Sequence, residues 1–244
     1  MIRFVVVMVL ASLASPTFAV ECKNVTFRDQ SYALCEVDAG SEDIRLFLRD
    51  PADALYGHFH SLEAMLKQKG QSLSFAMNAG MYHSDRAPVG LYREQKRERQ
   101  RLITSAGPGN FGLLPNGVFC IGTGRADVFE TKRFARQKPE CRDASQSGPM
   151  LVIEGELHPR FLKDSTSRYI RNGVGTSPDG QRVVFAISNQ PVTFYEFGEL
   201  FRTGLNLPQA LYFDGNVSRL HAPDIGRSDL GFRMGPIVGV VTPD

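Results

Sequence analysis

Several familiar catalytic signatures are missing from this chain. It has no G-x-S-x-G elbow, no G-x-x-x-x-G-K-[ST] phosphate loop and no H-E-x-x-H zinc motif, and no strand, glycine turn and helix unit reads as a Rossmann fingerprint. Those absences remove the commonest serine-hydrolase, nucleotide-binding and zinc-protease readings. Charge of one sign is also scarce. The formal net charge is +2, and setting aside Arg3 with the N-terminal segment leaves 2 − 1 = +1, which excludes a general nucleic-acid binder. The local exception is Arg93, Lys96, Arg97, Arg99 and Arg101, which reads as a solvated hairpin. The five histidines are scattered, and the only close pair, His58-x-His60, fits ordinary loop residues better than a metal site.

Long apolar runs are missing after the first residues. The stretch 4–13, behind Arg3 and ahead of the small residues that end at Ala19, has the form of a secretory signal peptide and is too short for a permanent membrane span. The expected organisation is a signal peptide at 1–19 and one domain at 20–244, exported to the periplasm or the extracellular space. Cysteine is limited to Cys22, Cys35, Cys120 and Cys141. An even number in an exported chain favours disulfides, and the sequence-local pairs Cys22 with Cys35 and Cys120 with Cys141 are preferred among three connectivities.

Apolar patterning predicts strands near 32–37, 44–48, 73–77, 111–114, 117–121, 150–153, 169–176, 182–187, 210–213 and 236–241. A helix capped by Ser61 and stopped by Gly70 is expected near 61–69. A second begins with a capping box at Thr193 and Glu196, with Phe194, Phe197, Leu200 and Phe201 on its buried face. Residues 178–181 form a tight turn, and 137–145 read as an exposed loop held by Cys141. Two strand, helix, strand units end at Asn78 and Asp214, so the fold class is α+β: a single strand-rich domain with a mixed sheet and two principal helices in βαβ-like crossovers. If the units share a sheet, those two residues meet at one edge.

What is abundant is glycine beside a polar residue. Four segments stand out: Asn78-Ala79-Gly80-Met81-Tyr82, Ser147-Gly148-Pro149-Met150-Leu151, Arg171-Asn172-Gly173-Val174-Gly175 and Asp214-Gly215-Asn216-Val217-Ser218. Their order resembles the phosphodiester glycosidase family, whose segments read approximately N-A-G-F/Y, G-P-x-L-V, R-T-A-V-G and D-G-G-G-S. The resemblance runs from about residue 73 to 241. It implies hydrolysis of a sugar phosphodiester, and in bacterial members a link to exopolysaccharide. The chain departs from the pattern at Asn172 and Gly173, and at Asn216 and Val217, which stand where the family has glycine.

The chemistry of the residues agrees with that resemblance. Asp214, at the end of an apolar strand, can serve an oxocarbenium-like carbon as nucleophile, base or electrostatic stabiliser. Arg171 can neutralise phosphate through directional hydrogen bonds. Asn78, Asn172, Asn216 and Ser218 are candidate polar lining, and the backbone around Gly80, Gly148, Gly173 and Gly215 a candidate anion cradle. Asp85 or Asp143 is a possible second carboxylate, and Arg168 is expected to face solvent. No cofactor is demanded, although a divalent cation such as calcium can be accommodated beside Asp214. Two functions follow: an exported hydrolase of glycosyl-1-phosphodiesters, or an envelope protein that binds carbohydrate without turnover. Oligomeric state is left open.

Overall fold

The computed structural model describes residues 20–244, so the expected signal peptide at 1–19 lies outside the described residues. The chain begins with β1 (Glu21–Phe27), β2 (Gln30–Asp38), β3 (Asp43–Phe47), α1 (Phe59–Lys67) and β4 (Gln71–Asn78). It continues through β5 (Tyr92–Glu94), β6 (Arg97–Gln100), β7 (Gly117–Ile121), β8 (Ala126–Glu130), α2 (Thr131–Gln137) and β9 (Asp143–Ser147). Then come β10 (Met150–Ile153), β11 (Glu156–Leu157), β12 (Asn172–Thr176), β13 (Arg182–Ser188), α3 (Phe194–Glu199) with a π-helical turn at Leu200–Gly204, and β14 (Gln209–Asp214). The chain closes with β15 (Leu220–Ala222), β16 (Arg227–Ser228) and β17 (Ile237–Pro243).

The α+β class expected from the sequence is the one observed, but the strands divide among three sheets. Their orders are β1-β2-β13-β12-β14-β10-β11, β16-β15-β4-β17-β3 and β6-β5-β9-β7-β8. Neighbouring strands pair antiparallel. Two crossovers are present as expected: β3-α1-β4 brackets β17, and β13-α3-β14 brackets β12, so each helix joins strands that run the same way. A third unit, β8-α2-β9 around β7, repeats the arrangement. The two expected units do not share a sheet, and Asn78 and Asp214 are brought together by the packing of one sheet on another.

Alternation along each strand explains the layers. On β13, Val183, Phe185 and Ile187 face a core common to all three sheets, whereas Val184 and Ala186 face the layer containing α3. On β14, Leu211 and Phe213 join the common core and Ala210 and Tyr212 the α3 layer, as a strand covered on both faces requires. Phe119, Phe185 and Phe213 form edge-to-face pairs at 5.8 and 6.2 Å, and Phe75 lies 4.7 Å from Phe185. The three sheets thus meet at one aromatic cluster. Helix α1 covers the second sheet and α2 the third.

Some local expectations shift. Helix α1 starts at Phe59 rather than Ser61, and His58 occupies the N-cap position without a side-chain bond. Burial of Phe59 beside His221, at 5.8 Å, sets that start. The capping box of α3 forms as read. Residues 111–114 are turns rather than a strand, and the expected loop at 137–145 gives way at Asp143 to the fully buried β9. Arg93 to Arg101 does form a hairpin, β5-β6.

Both preferred disulfides are present, with Cys22–Cys35 cross-strand between β1 and β2 and Cys120–Cys141 tying β7 to the segment before β9. The second closes a separation of 21 residues. Replacing Cys120 and Cys141 by serine is expected to lower unfolding free energy by about 2–4 kcal/mol, read from urea denaturation of the oxidised proteins. An unchanged midpoint would show that the bridge contributes nothing to stability.

Candidate active site

Three strand ends converge on a pair of buried amides. The Asn78 Nδ2 donates to Asn172 Oδ1 at 3.2 Å, and Asn172 Nδ2 donates to Asn78 Oδ1 and to the Asn78 carbonyl, each at 3.0 Å. Neither residue is exposed to solvent. The remaining acceptor capacity holds backbone: Asn172 Oδ1 accepts from the Asp214 N–H at 3.2 Å, and Asn78 Oδ1 from the Arg219 N–H at 2.9 Å. These amides therefore lie beneath the site and position it, instead of lining it as expected from sequence. A buried amide whose donors and acceptors are all used also avoids a desolvation cost of about 1–3 kcal/mol per orphaned group.

Asp214 ends β14 opposite Asn172, where the register shifts between Asn172 and Gly173. A Cβ at Gly173 would stand 2.5 Å from the Leu211 carbonyl, so only glycine permits this approach of β12 to β14. Beyond Asp214 the chain turns sharply. Asp214 Oδ1 accepts from the Asn216 N–H at 2.9 Å, and the Ser218 hydroxyl lies 2.6 Å from the Asp214 carbonyl and 3.1 Å from that of Ile170. Ser218 is thus used in closing the turn. A Cβ at Gly215 would collide with the Tyr212 hydroxyl.

An open cleft of about 390 Å³ lies over this turn, walled by Tyr169, Phe194 and Tyr212, with Asp214, Gly215 and Asn216 on one side. Met81, Asn110 and Ser167 complete its rim. Arg171 forms the floor and is 1% exposed. Its Nε donates to the Val192 carbonyl at 2.8 Å and its Nη2 to the Ser167 carbonyl at 3.0 Å, while the guanidinium carbon sits 3.6 Å from the Phe194 ring centroid. Only Nη1 is left without a partner among the described residues. Arg171 therefore offers a positive charge and one nitrogen without a partner among the described residues.

Burial raises the Asp214 carboxyl above its ordinary 3.8, partly offset by the backbone N–H groups of Asn216, Gly215 and Val217. Burial also holds the Tyr212 hydroxyl well above its usual range, keeping it a neutral donor. Loss of hydration pushes Arg171 down, although nearby Tyr212, Tyr169 and Glu196 favour its charged form.

The other expected residues divide cleanly. Asp143 is buried but paired with Arg142 at 2.8 Å, and it accepts from the Gln95 N–H. Asp85 caps an exposed turn by accepting from the Ala87 N–H. Neither lines the cleft. Gly80 has φ +146° and packs on Ser145, and Gly148 packs on Asn116, so both serve close packing beneath the site. Arg168 faces outward and pairs with Glu196 at 2.7 Å. The string Gly107-Pro108-Gly109-Asn110-Phe111-Gly112 has G-x-G-x-x-G spacing but neither a strand before it nor a helix after it. Among the described residues, no three His, Cys, Asp or Glu side chains gather as a metal site. Tyr169 and Tyr212 escaped the sequence reading, although each stands two residues before a candidate and so shares its face on an extended strand.

The phosphodiester glycosidase family profile matches residues 71–222, from the start of β4 to the end of β15. This chain belongs to that family. A relative in Escherichia coli strain K12, the uncharacterized protein YigE, is 33% identical over 214 residues, covering 87% of this chain and 83% of the relative. The fold is also similar to the zebrafish N-acetylglucosamine-1-phosphodiester alpha-N-acetylglucosaminidase catalytic domain auto-inhibited by its pro-peptide, with TM-score 0.62 and 12% identity over 94% of this chain and 86% of that one. A hypothetical protein from Synechocystis aligns with TM-score 0.59 and 12% identity, covering 91% of this chain and 62% of that one. In this family member the matched segment contains Asn78, Asn172, Asp214 and Ser218, while β17, which lies between β3 and β4, falls outside it.

The raised carboxyl gives a stability test. A folded-state pKa above the unfolded value means that the folded protein binds more protons between the two, so the ionised carboxylate lowers stability as pH rises through that window. Asp214→Asn is expected to be more stable than wild type at neutral pH, with the gap closing as pH falls toward 3.8. Thermal melts at several pH values check this, and a gap that widens on acidification would contradict the assigned environment.

Proposed function

We propose that this family member is an exported hydrolase of glycosyl-1-phosphodiesters, with Asp214 the carboxylate at the anomeric carbon. The observation that carries the reading is a half-buried carboxylate, unpaired among the described residues, beside a cationic floor in a cleft walled by aromatic rings. The aromatic walls suit the apolar face of a sugar, and Arg171 places positive charge where phosphate would lie. Two disulfides support an oxidising compartment, periplasmic or extracellular, and the natural substrate class is a glycan or envelope polysaccharide bearing a sugar phosphodiester.

In this reaction the C1–O bond breaks and its electron pair passes to the phosphate oxygen. Asp214 stabilises the resulting positive character at C1 or captures it, and water completes hydrolysis. A phosphate monoester is a weak base, so departure demands less general-acid assistance than an ordinary glycoside does. A second reading, glycan binding without turnover, draws on Asn216, whose side chain stands on the cleft wall where the family pattern has glycine.

Release of sugar and phosphate monoester from a panel of α- and β-glycosyl-1-phosphodiesters separates the two. Asp214→Asn and Arg171→Ala are each expected to lower kcat/KM by about a hundredfold or more while staying folded, and Arg171→Lys less. The acid limb of the wild-type profile should lie above 3.8, because Asp214 acts ionised and its carboxyl is raised. Full activity in both Asp214→Asn and Arg171→Ala would remove the assignment; saturable glycan binding without product would favour the second reading.

A further inference from the structure

A second buried arginine follows the turn that Asp214 begins, next to Ser218, whose hydroxyl bonds the Asp214 carbonyl. Arg219 is 7% exposed, and among the described residues its guanidinium donates no hydrogen bond and forms no ion pair, although its backbone N–H donates to Asn78 Oδ1. A cation so buried is ordinarily paired. Gly231, at φ +138°, covers it so closely that a Cβ there would stand 2.4 Å from Nη2. Nearby, Tyr82 has a buried hydroxyl that also lacks a partner, and its ring packs against Gly235 and beneath the Arg86 guanidinium, 5.3 Å from the centroid. Burial raises the Tyr82 hydroxyl, Asp214 adding to the rise and Arg86 and Arg219 opposing it. The Asp229 carboxylate also acts on Arg219 but is itself paired with Arg227 at 2.9 Å, so the Arg219 guanidinium keeps unused donors, and with the Tyr82 hydroxyl it offers an anion position.

We infer that Arg219 and Tyr82 bind the phosphate leaving group as it becomes a monoester. This rests on the hydrolase reading above. A phosphodiester carries one negative charge. When C1–O breaks heterolytically, the electron pair stays on the phosphate oxygen, and the monoester carries about −2 above its second pKa. Water adds to C1, and its proton is taken by Asp214 or by the released monoester. Arg171 answers the charge already present on the substrate, whereas Arg219 with the Tyr82 hydroxyl answers the charge that appears on bond cleavage. An interaction gained only then accelerates the step.

The test is titration calorimetry with inorganic phosphate at about pH 8, where the dianion dominates, and with dimethyl phosphate, a permanent monoanion. Wild type should bind phosphate more tightly. Arg219→Gln should lose about tenfold or more in phosphate affinity while dimethyl phosphate changes by less than about threefold, and Tyr82→Phe should show the same selectivity with a smaller loss. Gly231→Ala keeps the arginine but drives a methyl into its guanidinium, so it too should weaken phosphate binding. Circular dichroism and thermal melts establish that each variant is folded.

Unchanged phosphate affinity in folded Arg219→Gln, parallel losses for both ligands, or no phosphate binding by wild type overturns the inference. Wild type that shows the expected selectivity yet cleaves no glycosyl phosphodiester keeps the anion position and overturns the hydrolase reading instead.

Discussion

The amide pair Asn78–Asn172 is the constraint on which the site depends. It joins the last residue of β4 to the first of β12, elements of different sheets, and its leftover acceptors fix the backbone of Asp214 and Arg219. Neutral amides suit this task. An ion pair at zero exposure would carry a desolvation penalty that its attraction need not recover, and its field would act on the neighbouring carboxylate. The amides instead supply direction without net charge. A shift between the two sheets would therefore move the carboxylate and the arginine relative to each other.

The sheets are held in register with one another by what surrounds that pair. Each crossover helix covers the outer face of one sheet, leaving the opposite faces to share the aromatic cluster of Phe75, Phe119, Phe185 and Phe213. Dense packing of large rings resists small displacements because every ring is confined by neighbours from another sheet. Phe213 belongs to this cluster and immediately precedes Asp214, whose strand end is thus anchored from the core as well as from Asn172. Ser147 strengthens the same point by donating to the Phe213 carbonyl at 2.7 Å.

The sequence made the strongly apolar elements legible and left the polar ones obscure. β13 and β14 alternate between two apolar layers, so their patterns are dense; α3 announces itself through Thr193 and Glu196. β9 does not. Its residues Asp143, Ala144, Ser145, Gln146 and Ser147 are all buried, but their polarity is absorbed by long-range bonds such as Ser145 to the Ala79 carbonyl and Gln146 to the Ile103 carbonyl. No local pattern encodes such partners. The third crossover was hidden for the same reason, since α2 is only seven residues long and leads into that strand. Within the site, Asp214 was readable from the apolar strand it ends and Arg171 from the glycine-rich segment it opens. Whether Asn78 and Asn172 line a cleft or lie under it depends on contacts across 94 residues, and Arg219 has no motif of its own.

The placement of tyrosine explains why the charged groups stay available. Tyr212 lies between Asp214 and Arg171, and Tyr82 senses both Asp214 and Arg219. Among the described residues neither arginine forms an ion pair with the carboxylate. A direct pair would have lowered the Asp214 pKa and filled both partners' hydrogen-bonding edges; here burial dominates and the carboxyl is raised. The phenols, neutral because they are buried, separate opposite charges without supplying a counter-charge. In the proposed site the carboxylate is thus accompanied by two arginines, and among the described residues it pairs with neither. A glycosyl phosphodiester entering its transition state has the complementary pattern: positive character at C1 and growing negative charge on the adjacent phosphate. In the proposed reaction, the interactions that the folded protein withholds from itself are the ones it offers to that charge separation.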